Sequence, residues 1–592
     1  MSRPGTPLAT PGRHDSIASI AISLRRRITA QLSFDEDRFF LILAVFIGIF
    51  AGLAVVCFRI TMEWARLYLL GSALTPPTLR AFLAPCFAGL FISALLFTIF
   101  KGAAGSGLNQ TKAALYISDG YIPVRTVIGK FITASLAIGS GHSLGPEDPS
   151  LQIGAGLASA IGTRLKLSRK KMRLLAPVGA AAGLAAAFNA PISAVLFVIE
   201  EVIGHWSAGI LGAIVLAAVS SVVTMRLFLG AEPLFRIPPV GVIRWQELVA
   251  YAVLGILGGV ASVAFAKAIG WLRPKLKTTP QTLRLLYPGI AGLLIGLIAF
   301  AGFPEIMGAG YGFMDEAMHD QYTWEVLGIL AGLKIVATTL SFASGTPGGM
   351  FAPTLFIGAM LGGAVGTVER LFFPNLTGSV GTYALVGMGV LFAGFLRAPI
   401  TSVFMALEVS GDYSIILPVL VANMFSYLIS RRLQAMPILD LITRHDGLSL
   451  PALEEKREEE TLNVEDAMRP RPAIVLDCSK SAAETWPFVS HTAEPYFLVA
   501  LPNQPPPLLP FGELQHLVEA GDTRPLRATD APTVVPFLHP DEDLEEALPL
   551  VTRYPLIPVV NRADLSQLLG VLDLADVIEV YRKSHIEFPA PY

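Results

Sequence analysis

The run "FFLILAVFIGIFAGLAVVCF", from Phe39 to Phe58, contains no charged residue. Its length approaches the ~20 residues that a helix needs to cross the hydrocarbon core of a bilayer. In that medium every backbone polar group must be satisfied within the protein, which leaves only helices and closed barrels open to such a chain. Further apolar candidates begin near residues 80, 126, 172, 207, 246, 284, 326, 383 and 415. With 53% hydrophobic and only 15% charged residues over 592, and a mean hydropathy of +0.59, the chain lies far from water-soluble globular domains. The pattern describes an all-α polytopic membrane protein.

A net charge of -2 points to no nucleic-acid or other polyanionic partner. Cys57, Cys86 and Cys478 are too scattered for a metal site or a disulfide framework, and they read as packing residues. Residues 1–36 carry Arg25, Arg26 and Arg27 after "SIASIAISL", a basic amphipathic arm without the apolar core of a signal peptide. The positive-inside rule keeps this end in the cytoplasm. Past residue 440 the chain turns polar, and no later segment is apolar enough to span a bilayer. The expected division is an arm (1–36), a membrane body (37–440), a linker (441–460) and a soluble cytoplasmic tail (461–592).

The membrane body contains an internal repeat. "PSLQIGAGLASAIGT" (Pro149 to Thr163) and "PTLFIGAMLGGAVGT" (Pro353 to Thr367) share nine of fifteen residues at an offset of 204. The similarity resumes at an offset of 208, where "NAPISAVLFVIEE" (Asn189 to Glu201) matches "RAPITSVFMALEV" (Arg397 to Val409). Two halves therefore share one plan. Both copies of the first segment follow a glycine-rich loop, "GSGHSLGPEDP" and "SGTPGGMFAP", and each helix is expected to start at its proline.

Non-helical backbone survives at membrane depth only where protein buries it or water reaches it. Helix N-termini carry unpaired N–H groups and the positive end of the dipole, so two of them converging at mid-membrane form an anion site. Gly154 and Gly358, inside the helices, read instead as small residues that let helices pack closely. Glu147 is the residue that the loops make unusual. Its carboxylate can take the place of an anion at a helix start and swing aside when protonated, acting as gate and proton carrier. Alternatively, it is an ordinary helix-capping acid at the membrane surface. Asp148 reads as a plain cap, and His142 as a surface or vestibule residue without a special role.

Three segments in this order resemble the CLC family of chloride channels and proton-coupled chloride antiporters. "GSGLNQ" (Gly105 to Gln110) is similar to the family's first anion loop, "GKFITASLAIGSGHSLGPEDPSLQIG" (Gly129 to Gly154) to its second, and "GGMFAP" (Gly348 to Pro353) to its third. The resemblance implies two inverted halves with broken helices, a homodimer, and chloride moving against protons across a cell membrane with both termini cytoplasmic. Carried over by position, Ser106 is the hydroxyl ligand of chloride, Glu147 the gating glutamate, and Met350 and Phe351 the residues whose amides face the anion. Gly105, Gly107, Gly145 and Gly349 are the loop glycines. Glu201 matches the inner proton glutamate of the antiporters, and Glu200 is a possible substitute.

The departures are specific. Leu439 in "PILDLIT" stands where the family has a tyrosine hydroxyl, Pro146 where a basic residue is common, Asp148 where glycine is usual and Asn109 where proline is frequent. Leu439 favours a passive channel or a weakly coupled exchanger as the alternative, and Glu201 opposes it. A membrane-embedded acid–base enzyme using Glu147 and Asp148 is a remote third reading, because no nucleophile, histidine or metal-ligand cluster accompanies the pair.

In the tail, Val534 to Val580 reads as a βαββα unit similar to a CBS module, with a degenerate first copy opening near residue 464. The resemblance implies an α/β pair in which Asp576 is the expected ribose-binding acid if an adenine nucleotide binds. No other cofactor is expected. The insert "LPNQPPPLLP" (Leu501 to Pro510) is expected to weaken the first copy, because proline removes ladder donors.

Overall fold

The computed structural model describes residues 14–71, 79–204, 208–232, 234–235, 244–374, 378–446, 462–470, 475–492, 495–501, 504–527, 530, 535–561 and 564–586, with side chains placed from residue 38 onward, apart from residues 169–170, 545–546 and 583–586. The side chains of Arg25, Arg26 and Arg27 fall outside that set. The chain divides into two compact units, residues 1–453 and 454–592.

In the first unit the helices follow in chain order. The first half contains α1 (His14–Leu69), α2 (Leu79–Thr98), α3 (Gly107–Ile117), α4 (Val124–Gly139), α5 (Glu147–Arg164), α6 (Arg169–Phe188), α7 (Pro191–Phe197) and α8 (Ala208–Leu229). After these come α9 (Glu247–Lys277), α10 (Gln281–Arg284), α11 (Tyr287–Phe300), α12 (Tyr311–Met318), α13 (Trp324–Ala343), α14 (Phe351–Phe372), α15 (Val380–Leu391), α16 (Pro399–Ser410), α17 (Ile416–Leu433) and α18 (Ile438–His445). α18 runs past residue 440, where the sequence reading ended the membrane body.

Among the described residues, nine segments are long and apolar enough to span a bilayer. They differ in part from the sequence expectation. The candidates near 126 and 383 form only shorter helices, α4 and α15, whereas α14 is a span of 22 residues. The first half of α14, Phe351 to Met360, is buried throughout, and its partly exposed apolar residues begin only at Leu361.

The repeat becomes a structural one. α5 and α14 match, as do α7 and α16, and each of the latter pair is preceded by a left-handed non-glycine residue, Asn189 (φ 56°) or Arg397 (φ 60°). Gly154 of α5 lies against the carbonyl of Gly179 in α6, and Gly358 of α14 lies against that of Gly387 in α15. A methyl group at either position would collide with backbone, so these two glycines set how closely the helix pairs approach. The prolines of the repeated helices are not their first residues: α5 starts at Glu147 and α14 at Phe351, two residues before Pro149 and Pro353. Proline fits anywhere in the first turn, where its missing N–H has no intrahelical partner.

Of the cysteines, Cys57 faces outward from α1 and does not pack in the interior, while Cys86 and Cys478 are half-buried and all three are free. An apolar helix face turned to lipid holds a thiol as readily as the core does.

The second unit holds two βαββα copies. In the first, β2 (Val475–Asp477) runs parallel to β3 (Tyr496–Ala500), which pairs antiparallel with β4 (Leu508–Pro510). In the second, β5 (Ile557–Val560) pairs antiparallel with β6 (Leu568–Leu572), and the opening strand is reduced to a bridge between Leu538 and Val559. The segment near 464 forms β1 (Arg469–Pro470), which joins β6 of the second sheet and not the first. The end of the proline-rich insert belongs to the sheet: Leu508–Pro510 form β4, and Pro507 serves as an acceptor for the amide of Val499 at 3.1 Å. Proline lacks a donor, not an acceptor.

Candidate functional site

The loops that precede α5 and α14 meet. Gly145 N donates to Gly349 O and Gly349 N to Gly145 O, both at 2.8 Å, an isolated two-bond ladder between the two halves. It places the N-termini of α5 and α14 together, with Gly145, Glu147, Met350 and Phe351 all buried. The convergence that the loops suggested is therefore present.

Glu147 is wholly buried. Its carboxylate accepts from Ala352 N in the first turn of the opposite helix at 3.4 Å, and from the hydroxyl of Tyr311 at the start of α12. It is neither a surface acid nor a cap confined to its own helix. The amides of Met350 and Phe351 have no acceptor among the described residues, in the same turn that binds Glu147. Phe351 packs in an aromatic cluster with Phe197, at a centroid distance of 5.0 Å, and with Phe392, at 5.8 Å.

Asp148 corrects the plain-cap reading. Its carboxylate leaves α5 and binds the start of α3, accepting from Gly107 N at 3.0 Å, from Leu108 N, and from Ser106 Oγ at 3.4 Å. Ser106 is itself the N-cap of α3, its Oγ accepting from Asn109 N at 3.3 Å. Gly105, in the left-handed region at φ 80°, turns its carbonyl to the buried ammonium of Lys130 at 2.7 Å. That ammonium in turn attracts Asp148. Gly105, Gly107, Ser106 and Glu147 are thus gathered around the first turn of α5.

Leu439 is buried at the second residue of α18, and Asn109 Nδ2 donates to its carbonyl oxygen at 3.2 Å. The two departures from the family pattern touch each other. The Asn109 amide ties α3 to α18 at the position where the sequence lacks a tyrosine hydroxyl.

Glu200 and Glu201 separate on the π turn Val198–Ile203, a locally widened coil. Glu200 caps α16, accepting from Thr401 N at 3.0 Å and Thr401 Oγ1 at 2.7 Å. Glu408, its partner at the 208 offset, caps α7 through Ile192 N at 2.9 Å and Ser193 N at 2.7 Å. Glu201 instead faces Lys112 Nζ at 3.5 Å, and that ammonium lies 4.0 Å from Asp440. Glu200 is thus engaged at the start of α16, whereas Glu201 is paired with Lys112. Glu200→Ala is expected to lower stability by about 2 kcal/mol, the order of a lost charged cap. Thermal unfolding in detergent checks it.

His142 is not at a surface: it is wholly buried in the second loop and its Nε2 donates to Pro85 O of α2 at 3.1 Å. Asp576 lies in the second unit, where Arg469 Nε donates to it at 3.0 Å and Asp573 N at 3.1 Å. Among the described residues no three His, Cys, Asp or Glu side chains converge on a metal position. Tyr311, Lys112 and Lys130 were not singled out by the sequence. Glu408 had a signal there, since the repeat aligns it with Glu200.

Comparison with known proteins concerns the family and the fold. The H(+)/Cl(-) exchange transporter ClcA of Vibrio cholerae is 32% identical over 429 residues, covering 69% of this chain and 90% of that one. The crystal structure of a slow cyanobacterial Cl-/H+ antiporter superposes with a TM-score of 0.63 at 24% identity, over 71% of this chain and 98% of that chain. That of a eukaryotic CLC transporter gives 0.60 at 20% identity over 91% and 97%, a likeness of fold that extends through the tail. Residues 88–431 match the family described as voltage gated chloride channel. The chain belongs to that family and has the CLC fold.

Proposed function

We propose that this protein exchanges chloride, and similar small monovalent anions, for protons across a cell membrane. The observation that carries the reading is the paired start of α5 and α14, bridged by Gly145 and Gly349, where the Glu147 carboxylate is held by an amide of the opposite helix. Beside it the amides of Met350 and Phe351 are available to a dehydrated anion, with Ser106 on the other side of α5. Glu147 is the gate and outer proton carrier in this reading, and Glu201 the inner one. Relatives named for H(+)/Cl(-) exchange support it. The assembly is a homodimer with one route per subunit, and the basic arm keeps the N-terminus cytoplasmic together with the tail. An adenine nucleotide on the tail would displace Arg469 from Asp576, since the two are bonded in the structure.

The deciding measurement is reversal potential in a proton gradient at fixed chloride. A shift with pH supports exchange, and no shift means a passive channel. Weak coupling is the second reading, favoured by Leu439, which supplies a carbonyl bonded to Asn109 and no hydroxyl. Leu439→Tyr is expected to tighten chloride binding roughly tenfold, the order of one added hydrogen bond to an ion. Calorimetry showing no gain would mean that a side chain from this position does not reach the anion.

A further inference from the structure

Asp148 and Glu147 are adjacent in the first turn of α5, yet their carboxylates are anchored on different helices. Glu147 is held at α14, and Asp148 at α3. Asp148 is 4% exposed and makes contact with three consecutive residues of the α3 start, Ser106, Gly107 and Leu108. A carboxylate bonded in this way already fills the place that an anion would take at that terminus. Ser106 has a single O–H to donate, and its Oγ accepts from Asn109 N, so the proton is directed to Asp148. The same hydroxyl cannot donate to a halide while it donates there. The 3.4 Å separation is longer than the 3.0 Å from Gly107 N, so the Ser106 contact is the weaker of the two. Lys130, fixed at Gly105 O, supplies the positive charge that makes either anion acceptable at this depth.

From this geometry we infer that Asp148 is a second resident anion of the pathway, competing with the transported halide for the α3 terminus and lowering its affinity there. The inference rests on the transport reading. Chloride reaches the Gly107 and Leu108 amides and the Ser106 hydroxyl only when Asp148 vacates them. The protein thus carries one displaceable carboxylate on each side of α5, Glu147 towards α14 and Asp148 towards α3.

The test uses the full-length protein, with chloride titrated calorimetrically in detergent and chloride flux measured in liposomes for wild type, Asp148→Gly, Asp148→Asn and Asp148→Gly combined with Ser106→Ala. Asp148→Gly removes the competitor and is expected to tighten chloride binding by roughly tenfold to a hundredfold, the range of a displaced ion–amide interaction. Asp148→Asn keeps an oxygen that can accept from the same amides, so its gain is expected to be clearly smaller. Ser106→Ala in the glycine background should reverse part of the gain. If Asp148→Gly and Asp148→Asn tighten equally, the effect is one of charge at a distance and occupancy is overturned. Unchanged affinity in Asp148→Gly overturns it too, as does unchanged affinity in Asp148→Asn should the glycine variant fail to fold. Wild-type chloride flux with no gain in the variants defeats this inference alone, whereas no flux in wild type or any variant defeats the transport reading with it.

Discussion

Glu147→Gln is expected to reduce proton transport by at least about a hundredfold, the order associated with removal of a positioned acid–base group, while chloride flux continues. Glutamine keeps the size of the side chain and retains an oxygen for Ala352 N and the Tyr311 hydroxyl. What it loses is the charge that competes with an anion and the site that takes up a proton. The carboxylate is completely buried, so no bulk water stands in for it as a carrier. Paired chloride and proton electrodes on proteoliposomes read both fluxes at once. Proton transport undiminished in this variant would remove Glu147 from the route. Loss of both fluxes together would mean that the side chain holds the helix ends in place and does not gate them.

The second large effect is expected at the other end of the route. Glu201→Gln should also reduce coupled proton movement by about a hundredfold with chloride flux retained, because the side chain lies beside the Lys112 ammonium on the π turn and not on the loops that start α5 and α14. Lys112 lies 3.5 Å from its carboxylate, and the same ammonium lies 4.0 Å from Asp440. Replacing Glu201 leaves Lys112 with Asp440 as a remaining anion, which limits the structural cost. The contrast with Glu200 is the control within the same turn. Glu200 binds two donors on Thr401, so its loss is read in stability and not in the proton-to-chloride ratio. Equal loss of coupling in Glu200→Gln and Glu201→Gln, with both proteins folded, would mean that the two acids act as a unit.

The sequence disclosed most of the architecture because the relevant signals are local or repeated. The apolar runs record the bilayer, and the repeat at offsets of 204 and 208 records two related halves. The glycine loops before α5 and α14 record where helices start inside the membrane. What it did not disclose depends on contacts between distant segments. Nothing near Asp148 says that its carboxylate binds α3, 40 residues upstream. Tyr311 reaches Glu147 from 164 residues away, and Asn109 meets Leu439 across 330. Burial of His142 was equally hidden, since a polar residue in a glycine loop looks solvent-exposed until the carbonyl it bonds is known. Glu408 was the legible exception: its match to Glu200 carried the cap, and only the exchange of partners between halves required coordinates.

That exchange makes the two halves complementary to each other. Glu200 of the first half closes the start of α16 in the second, and Glu408 of the second closes the start of α7 in the first. Contacts in which the same patch serves both sides are the mark of an isologous twofold interface between identical subunits. A half that carries both such an acid and the donor amides of such a helix start can pair with its own copy. Thr401 and Ser193, matched at the 208 offset, each present an N–H and a hydroxyl to the acid of the other half, so the change of side chain leaves the arrangement intact.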